Sequence, residues 1–321
     1  MENRAGLGRR QLGVAGPSVS VVGLGTNNFG RRMPEEAVRP VVDAALEEGV
    51  NLFDSADTYG AGESERLLGR ALRGRRDQAL IATKFGMPRA GEDPSQRRGS
   101  PAYIRASVEA SLRRLDVEVI DLYQMHQPDP ATPIAETLGT LHQLVEEGKV
   151  RWIGCSNFAG WQVVDAHWTA QSLGLTEFVS AQDEYSLLHR DIERELLPAL
   201  SHLGMGLLPY FPLASGMLTG KYRRGRPAPP GTRLADGQFA AVLTDPHHFD
   251  VIEALERFAG EREISLLQVA VGALLGRSQV SSVIAGATQP EQVVANVKAA
   301  SWIATGADWA ELDRITDGGR P

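Results

Sequence analysis

Cysteine is almost missing from this sequence: Cys155 stands alone in 321 residues, so no disulfide can form within the chain and a disulfide-stapled scaffold is excluded. Lysine is nearly as scarce, present only as Lys84, Lys149, Lys221 and Lys298 while arginine supplies the other basic residues, so a lysine at a special place is less expected by chance. A basic surplus is also lacking. With 33 basic against 40 acidic residues, the net charge of −7 gives no field that would gather nucleic acid. The start, Met1-Glu2-Asn3-Arg4, leads into no apolar run long enough for a signal peptide or a membrane helix, and a cytoplasmic chain without a membrane partner is expected. Low-complexity linkers and composition breaks are absent, so one domain over residues 1–321 is expected. The apolar fraction of 42% suffices for a large core.

What is present is an alternation. Short β-branched runs, near residues 20–24, 50–53, 79–83, 119–125, 150–154, 178–181, 206–209 and 281–285, are separated by longer stretches of helical period. Helix starts are marked by proline at Pro34, Pro101, Pro133 and Pro290, where the first helical position needs no donor. Ile104, Val108, Leu112 and Leu115 share one helical face. Eight βα units in one chain predict a closed (β/α)8 barrel. Leu12 and Val14 are assigned to an N-terminal β-hairpin at its bottom, and residues 308–316 to a final extra helix. The stretch 223–237, rich in proline, glycine and arginine, lies in a long connection after the seventh strand.

Chemistry in such barrels collects at the carboxyl ends of the strands. The exits read Gly25-Thr26, Asp54, Lys84, His126, Ser156-Asn157, Gln182, Tyr210 and Gly286. Each alone has an ordinary explanation, a helix cap for the aspartate or a core contact for the histidine; their coincidence at one end predicts a site. A tyrosine, with a solution pKa of about 10, is a poor acid near neutrality without a cation to stabilise its phenolate. Asp54 is expected to keep Lys84 charged, Lys84 to tune Tyr59, and the bend Thr58-Tyr59-Gly60 to aim the phenol inward. His126 would offer a ring N–H to a carbonyl oxygen. The four together predict an acid that protonates an alkoxide as it forms.

At these residues the sequence resembles the aldo-keto reductases. The stretch GVNLFDSADTYGAGESERLLGRAL (49–72), IATKFG (81–86), DLYQMHQPDP (121–130), IGCSNF (153–158), YFPLASGMLTGKY (210–222) and VIAGATQPEQVVANV (283–297) are similar to that family's segments and occur in its order. The resemblance implies a (β/α)8 barrel, NADPH as hydride donor and reduction of a small aldehyde or ketone. It also implies a catalytic tetrad of Asp54, Tyr59, Lys84 and His126. Gly25, Thr26 and Asp54 would lie at the cofactor, Ser156, Asn157 and Gln182 would bind its nicotinamide carboxamide, and Tyr210 would stack on the ring. Phe211 and Pro212 would lie at the cofactor, and Leu213 to Gly216, with Ala214 among them, would follow the pyrophosphate. Lys221, Arg233, Gly286, Ala287, Thr288, Gln292 and Asn296 would hold the adenosine end. Asn28 and Phe29, with Tyr59 and His126, would face the substrate. The chain departs from many members at Gln289, where they carry a basic residue, and at Asp183, where they carry asparagine.

Other readings are open at this point. GLGTNNFG (23–30) is an imperfect dinucleotide fingerprint with its third glycine at the wrong interval. Lys84 at a barrel strand end is also the residue a Schiff-base lyase would use. The chain further resembles potassium channel β subunits, which share the barrel and the cofactor and suggest a redox-sensing regulatory role. Cys155 is expected as a small buried residue. His247-His248 lacks acidic or cysteine partners at ligand spacing, so a surface pair at a helix start and no metal site is expected. Two solvated loop cations explain Lys221 and Arg233 equally well, and for Gln292 and Asn296, an i, i+4 pair on a helix, the alternative is plain surface polarity. Pocket walls are expected from residues 27–29, 86–99, 127–130 and the connection after the seventh strand. Neither the substrate nor the oligomeric state is fixed by these residues.

Overall fold

Side chains alternate across a strand, so a strand covered on both faces needs two lines of residues suited to two different neighbours. The computed structural model, which describes residues 6–89, 91–93, 95–236 and 245–316, shows how both lines are used. Strands β1 (Arg9–Gln11) and β2 (Ser18–Ser20) form an antiparallel hairpin. Eight parallel strands follow: β3 (Val22–Gly25), β4 (Leu52–Asp54), β5 (Leu80–Phe85), β6 (Ile120–Met125), β7 (Val150–Ser156), β8 (Phe178–Gln182), β9 (Gly206–Leu207) and β10 (Val283–Gly286). They lie in the order β10, β3, β4, β5, β6, β7, β8, β9. The two edges meet, because Leu207 pairs with Val280, the Leu207 N–H donates to Gln279 O at 2.7 Å and the Ile284 N–H donates to Pro209 O at 3.0 Å. The sheet therefore curls into a (β/α)8 barrel.

The outward line packs under a ring of helices: α1 (Glu35–Glu47), α2 (Glu63–Ala71), α3 (Pro101–Leu115), α4 (Ile134–Glu146), α5 (Gly160–Leu173), α6 (Leu196–Leu203), then α7 (Pro246–Glu261), α8 (Leu266–Leu275), α9 (Pro290–Ala299) and α10 (Gly306–Thr316). Phe53, Ile81, Phe85, Tyr123, Met125, Ile153 and Cys155 belong to this layer. Helices α7 and α10 are the extra ones; they join α8 in a satellite core with Met217, Tyr222 and Leu234. Among the described residues, no helix is long and apolar enough to cross a membrane.

The inward line is apolar low in the barrel, where Leu12, Leu52, Ala82, Leu122, Val179, Leu208 and Ile284 fill it. One step higher it turns polar, at Asp54, Lys84, Gln124, Ser156 and Gln182, two residues on from or close to those apolar partners. This switch places the site at the top.

Several expected boundaries move. Ser20 belongs to the hairpin rather than to β3. Leu12 and Val14 lie in the turn between β1 and β2, not in its strands. Leu12 is buried as the plug of the barrel floor, whereas Val14 is 81% exposed, since a turn of this length can point only one of them inward. Pro101 and Pro290 open their helices as expected, but Pro34 and Pro133 sit one position earlier, as extended N-cap residues. Residues 90 and 94, within the expected 86–99 wall, and Gly237, the end of the 223–237 stretch, lie outside the described residues.

Candidate active site

Asp54 ends β4 and aligns with Ala82 of β5, so Lys84 stands one inward step above it on the neighbouring strand. That register brings Lys84 Nζ to Asp54 Oδ2 at 2.7 Å, with a second donation to the Ser55 carbonyl at 2.8 Å. Both side chains are sealed from solvent. The other carboxylate oxygen of Asp54 accepts from Gln182 Nε2 at 2.9 Å and Gln124 Nε2 at 3.2 Å. Burial pushes the Lys84 ammonium toward neutrality, but Asp54 and Tyr59 outweigh it and hold its pKa above the ordinary value, so it stays charged.

Tyr59 arrives over a turn that L side chains rarely adopt. Gly60, Ala61 and Gly62 all have positive φ, at 56°, 55° and 91°, which two of the three meet by having no Cβ. Ser64, at the base of α2, fixes this turn through hydroxyl contacts to Thr26 Oγ1 (2.8 Å) and Ser55 Oγ (3.0 Å) and a donation to Thr26 O (2.9 Å). The Tyr59 ring centre comes to 5.1 Å from Lys84 Nζ and 6.0 Å from the His126 ring, edge to face. Burial raises the phenol above its ordinary pKa; the Lys84 charge and hydrogen bond offset only part of this. His126 is pushed down to about 3 by burial and then by Lys84, so its imidazole is neutral. Its Nδ1 is buried without a hydrogen-bond partner. The four expected catalytic groups thus converge on one spot.

Next to them, Asn157 is held in a left-handed conformation (φ 59°). Its Nδ2 donates to His126 O (2.9 Å) and to Ser156 Oγ (3.1 Å), and its Oδ1 accepts from the Tyr210 hydroxyl at 2.8 Å. Asp183 lies behind it, buried, with Oδ2 lacking a hydrogen-bond partner; burial pushes its carboxyl up to about 7 despite a bond from the Asn157 backbone.

A family model described as the aldo/keto reductase family matches residues 21–317. The chain belongs to the aldo/keto reductase family. It is 35% identical over 294 residues to "Probable aldo-keto reductase 1" of Glycine max, covering 90% of this chain and 83% of that one. It is 37% identical over 304 residues to "Uncharacterized oxidoreductase YrpG" of Bacillus subtilis (strain 168), covering 90% and 89%. It is also 33% identical over 298 residues to "Probable voltage-gated potassium channel subunit beta" of Oryza sativa subsp. japonica, covering 90% of each.

In this family member the residues expected at a cofactor come from two stretches of the chain that both reach Asn27. In one stretch Phe211, Ala214 and Ser215 all have positive φ (51°, 44° and 57°), and at Gly216 an added Cβ would come 2.9 Å from Lys221 Nζ. Strained non-glycine backbone of this kind concentrates where a site holds something. The Arg233 guanidinium sits 5.2 Å from the Phe211 ring centre and reaches Asn27 Oδ1 at 3.4 Å. Arg233 is partly buried rather than solvated, whereas Lys221 is exposed. In the other stretch Gly286 ends β10 beside Asn27 and Asn28, and Ala287 is buried. Gln292 turns back to accept from the Thr288 N–H at 2.8 Å, and Asn296 is buried rather than a surface polar residue. Gly25 is enclosed in β3, and Thr26 directs its hydroxyl to Asp54 O and Ser64.

Phe29, expected at the substrate, is fully buried in the outer core with Met33, because the loop after β3 folds its largest apolar ring away from water. Cys155 is buried. His247 and His248 lie in the first turn of α7, whose Asp245 cap accepts the His247 N–H at 2.9 Å. Among the described residues, no group of three metal-ligating side chains forms. Gln124 and Ser64 escaped the sequence reading; Gln124 could have been found by stepping back two residues from His126 along the inward line.

Proposed function

We propose that this oxidoreductase of the aldo/keto reductase family reduces a small aldehyde or ketone to the alcohol with NADPH, Tyr59 acting as general acid. The observation that carries this reading is the sealed Lys84–Asp54 pair, 2.7 Å apart, with the Lys84 ammonium 5.1 Å from the Tyr59 ring centre. The raised Tyr59 pKa keeps the phenol protonated near neutrality, and the fixed Lys84 charge lowers the cost of the phenolate left after proton donation. Neutral His126 is suited to orient the carbonyl oxygen by a hydrogen bond without competing for the proton.

The residues present fit a nicotinamide dinucleotide. Asn157, Ser156 and Gln182 gather amide and hydroxyl groups beside Tyr59, and the strained run 211–216 with Lys221 and Arg233 supplies backbone donors and cations suited to phosphates. Lys221, Arg233, Gly286, Thr288, Gln292 and Asn296 would hold the nucleotide end, with Tyr210 against the ring. When bound, the cofactor supplies the hydride. We read the whole chain as one barrel domain of the cytoplasm, in keeping with a family match over residues 21–317.

A Schiff-base lyase needs a neutral amine, and Lys84 is held charged by Asp54 and by the Ser55 carbonyl. The relatives named as potassium channel β subunits favour a second reading, a regulatory subunit that binds the cofactor and turns over slowly. A spectrophotometric screen of NADPH oxidation across aldehydes, ketones and nucleotide-sugar ketones separates the two. Steady multiple turnover supports the reductase, and single-turnover oxidation with every carbonyl supports the regulatory subunit.

A further inference from the structure

We propose that Asp57 is a positioning residue for the substrate: its buried carboxylate, paired with Arg89, pins the loop after β5 beside Tyr59 and His126 and so sets substrate affinity rather than the chemical step. This rests on the reductase reading. Asp57 belongs to the same turn as Tyr59, where its N–H donates to Lys84 O at 3.2 Å and the Tyr59 N–H donates to Ala56 O at 3.2 Å. Its side chain is completely covered and its charged partner is the Arg89 guanidinium.

Arg89 begins a chain of contacts along that loop. Its N–H donates to Glu92 Oε2 at 3.2 Å, its guanidinium lies 6.0 Å over the Tyr103 ring, and Arg98 Nε in turn reaches Glu92 Oε2 at 3.3 Å. The far end is fastened to the segment that follows His126, since the Gly99 N–H donates to Asp129 Oδ2 at 2.8 Å. One carboxylate next to the acid turn therefore anchors the first of two adjacent loops flanking the carbonyl site.

The link is incomplete in a way that makes it responsive to protons. Asp57 Oδ1 and Arg89 Nε are both buried without hydrogen-bond partners, so the pair is held at one oxygen only. Burial raises the Asp57 carboxyl to about 6, against the pull of Arg89. The other groups bearing on it are Glu65 of α2, which raises it, Arg114 of α3, which lowers it, and the phenols Tyr103 of α3 and Tyr123 of β6. As the pH falls through about 6, Asp57 takes up a proton and the anchor loses its charge.

Asp57→Asn and Arg89→Gln, assayed in the full chain with one neutral aldehyde, test this. Loss of one charge-assisted hydrogen bond corresponds to roughly tenfold in affinity, so KM for the aldehyde should rise about tenfold in both, with kcat within about twofold and the NADPH Kd, read by fluorescence, unchanged. Wild-type KM should rise between pH 7 and pH 5, and that of Asp57→Asn should stay flat. Amide hydrogen exchange around Arg89, Glu92 and Arg98 in the wild type should quicken over the same range once corrected for intrinsic rates. Unchanged KM and pH profile in both variants would overturn the proposal, as would equal losses in NADPH affinity. If the variants do not fold, pH-independent exchange in the wild type overturns it. A wild type without NADPH-dependent turnover sinks the reductase reading instead, and the exchange measurement still decides whether Asp57 anchors the loop.

Discussion

Asp183→Asn should stabilise this protein, and the gain should grow with pH. Asp183 is buried, its Oδ2 has no hydrogen-bond partner, and burial lifts its carboxyl from 3.8 to about 7, the Asn157 backbone bond offsetting only part. The folded chain therefore holds this proton up to about pH 7 while the unfolded chain releases it near pH 4. Because the folded value is raised, stability is lost as the pH climbs between those values and the loss levels off above about 7. At about 1.4 kcal/mol for each tenfold in proton affinity, the full span is worth about 4 kcal/mol, of which about 2 kcal/mol has accrued by pH 5. Asparagine has the same shape and no proton to lose. Its advantage should widen by roughly 2 to 3 kcal/mol between pH 5 and pH 8. Denaturant unfolding of both proteins at pH 5, 6, 7 and 8 and constant ionic strength measures the gap directly. A gap that stays constant or narrows toward pH 8 would refute the reasoning.

Tyr59→Phe should lower kcat by roughly 10²- to 10⁴-fold with little change in cofactor affinity; a transient measurement in which more than about half of the wild-type rate survives would remove Tyr59 as the acid. Lys84→Met should be at least as damaging, should not be rescued by raising the pH, and should cost about 3 to 5 kcal/mol by leaving Asp54 buried without its cation. Adding Asp54→Asn should return part of that stability, and a pH–rate profile identical to wild type would take Lys84 out of the mechanism. Reduction should favour NADPH over NADH, and Arg233→Ala should narrow the ratio of kcat/KM by about tenfold or more through weaker NADPH binding. Equal use of both cofactors by the wild type would sink that assignment.

The sequence disclosed the barrel and the meeting of Asp54, Tyr59, Lys84 and His126 because both depend on local signals: strand-length apolar runs, helix starts, and polar residues where the runs stop. Partnerships across strands were not legible, since they depend on register. Gln124 reads as one polar residue in a buried strand until alignment of β5 with β6 and β7 places its amide on Asp54. Ser64 reads as a helix-start serine until the turn folds it onto Thr26 and Ser55. The burial of Phe29 and Asn296 was not legible for the converse reason: a loop aromatic and a helical i, i+4 polar residue carry no mark of which neighbour will cover them.

The closure of the barrel also constrains how the chain acquires its shape. Arg10 donates to the carbonyls of Val280 and Leu275 at 2.7 Å each, and Ser281 Oγ donates to Gln11 O at 3.0 Å, joining positions about 270 residues apart. Next to this clasp, β9 contributes only two residues to the wall. A growing polypeptide can build most βα units from neighbours already made, yet the first strand and the floor plug must wait for residues near 280 before their last hydrogen bonds exist. The wall is thus closed by a contact between the first residues of the barrel and residues made some 270 positions later.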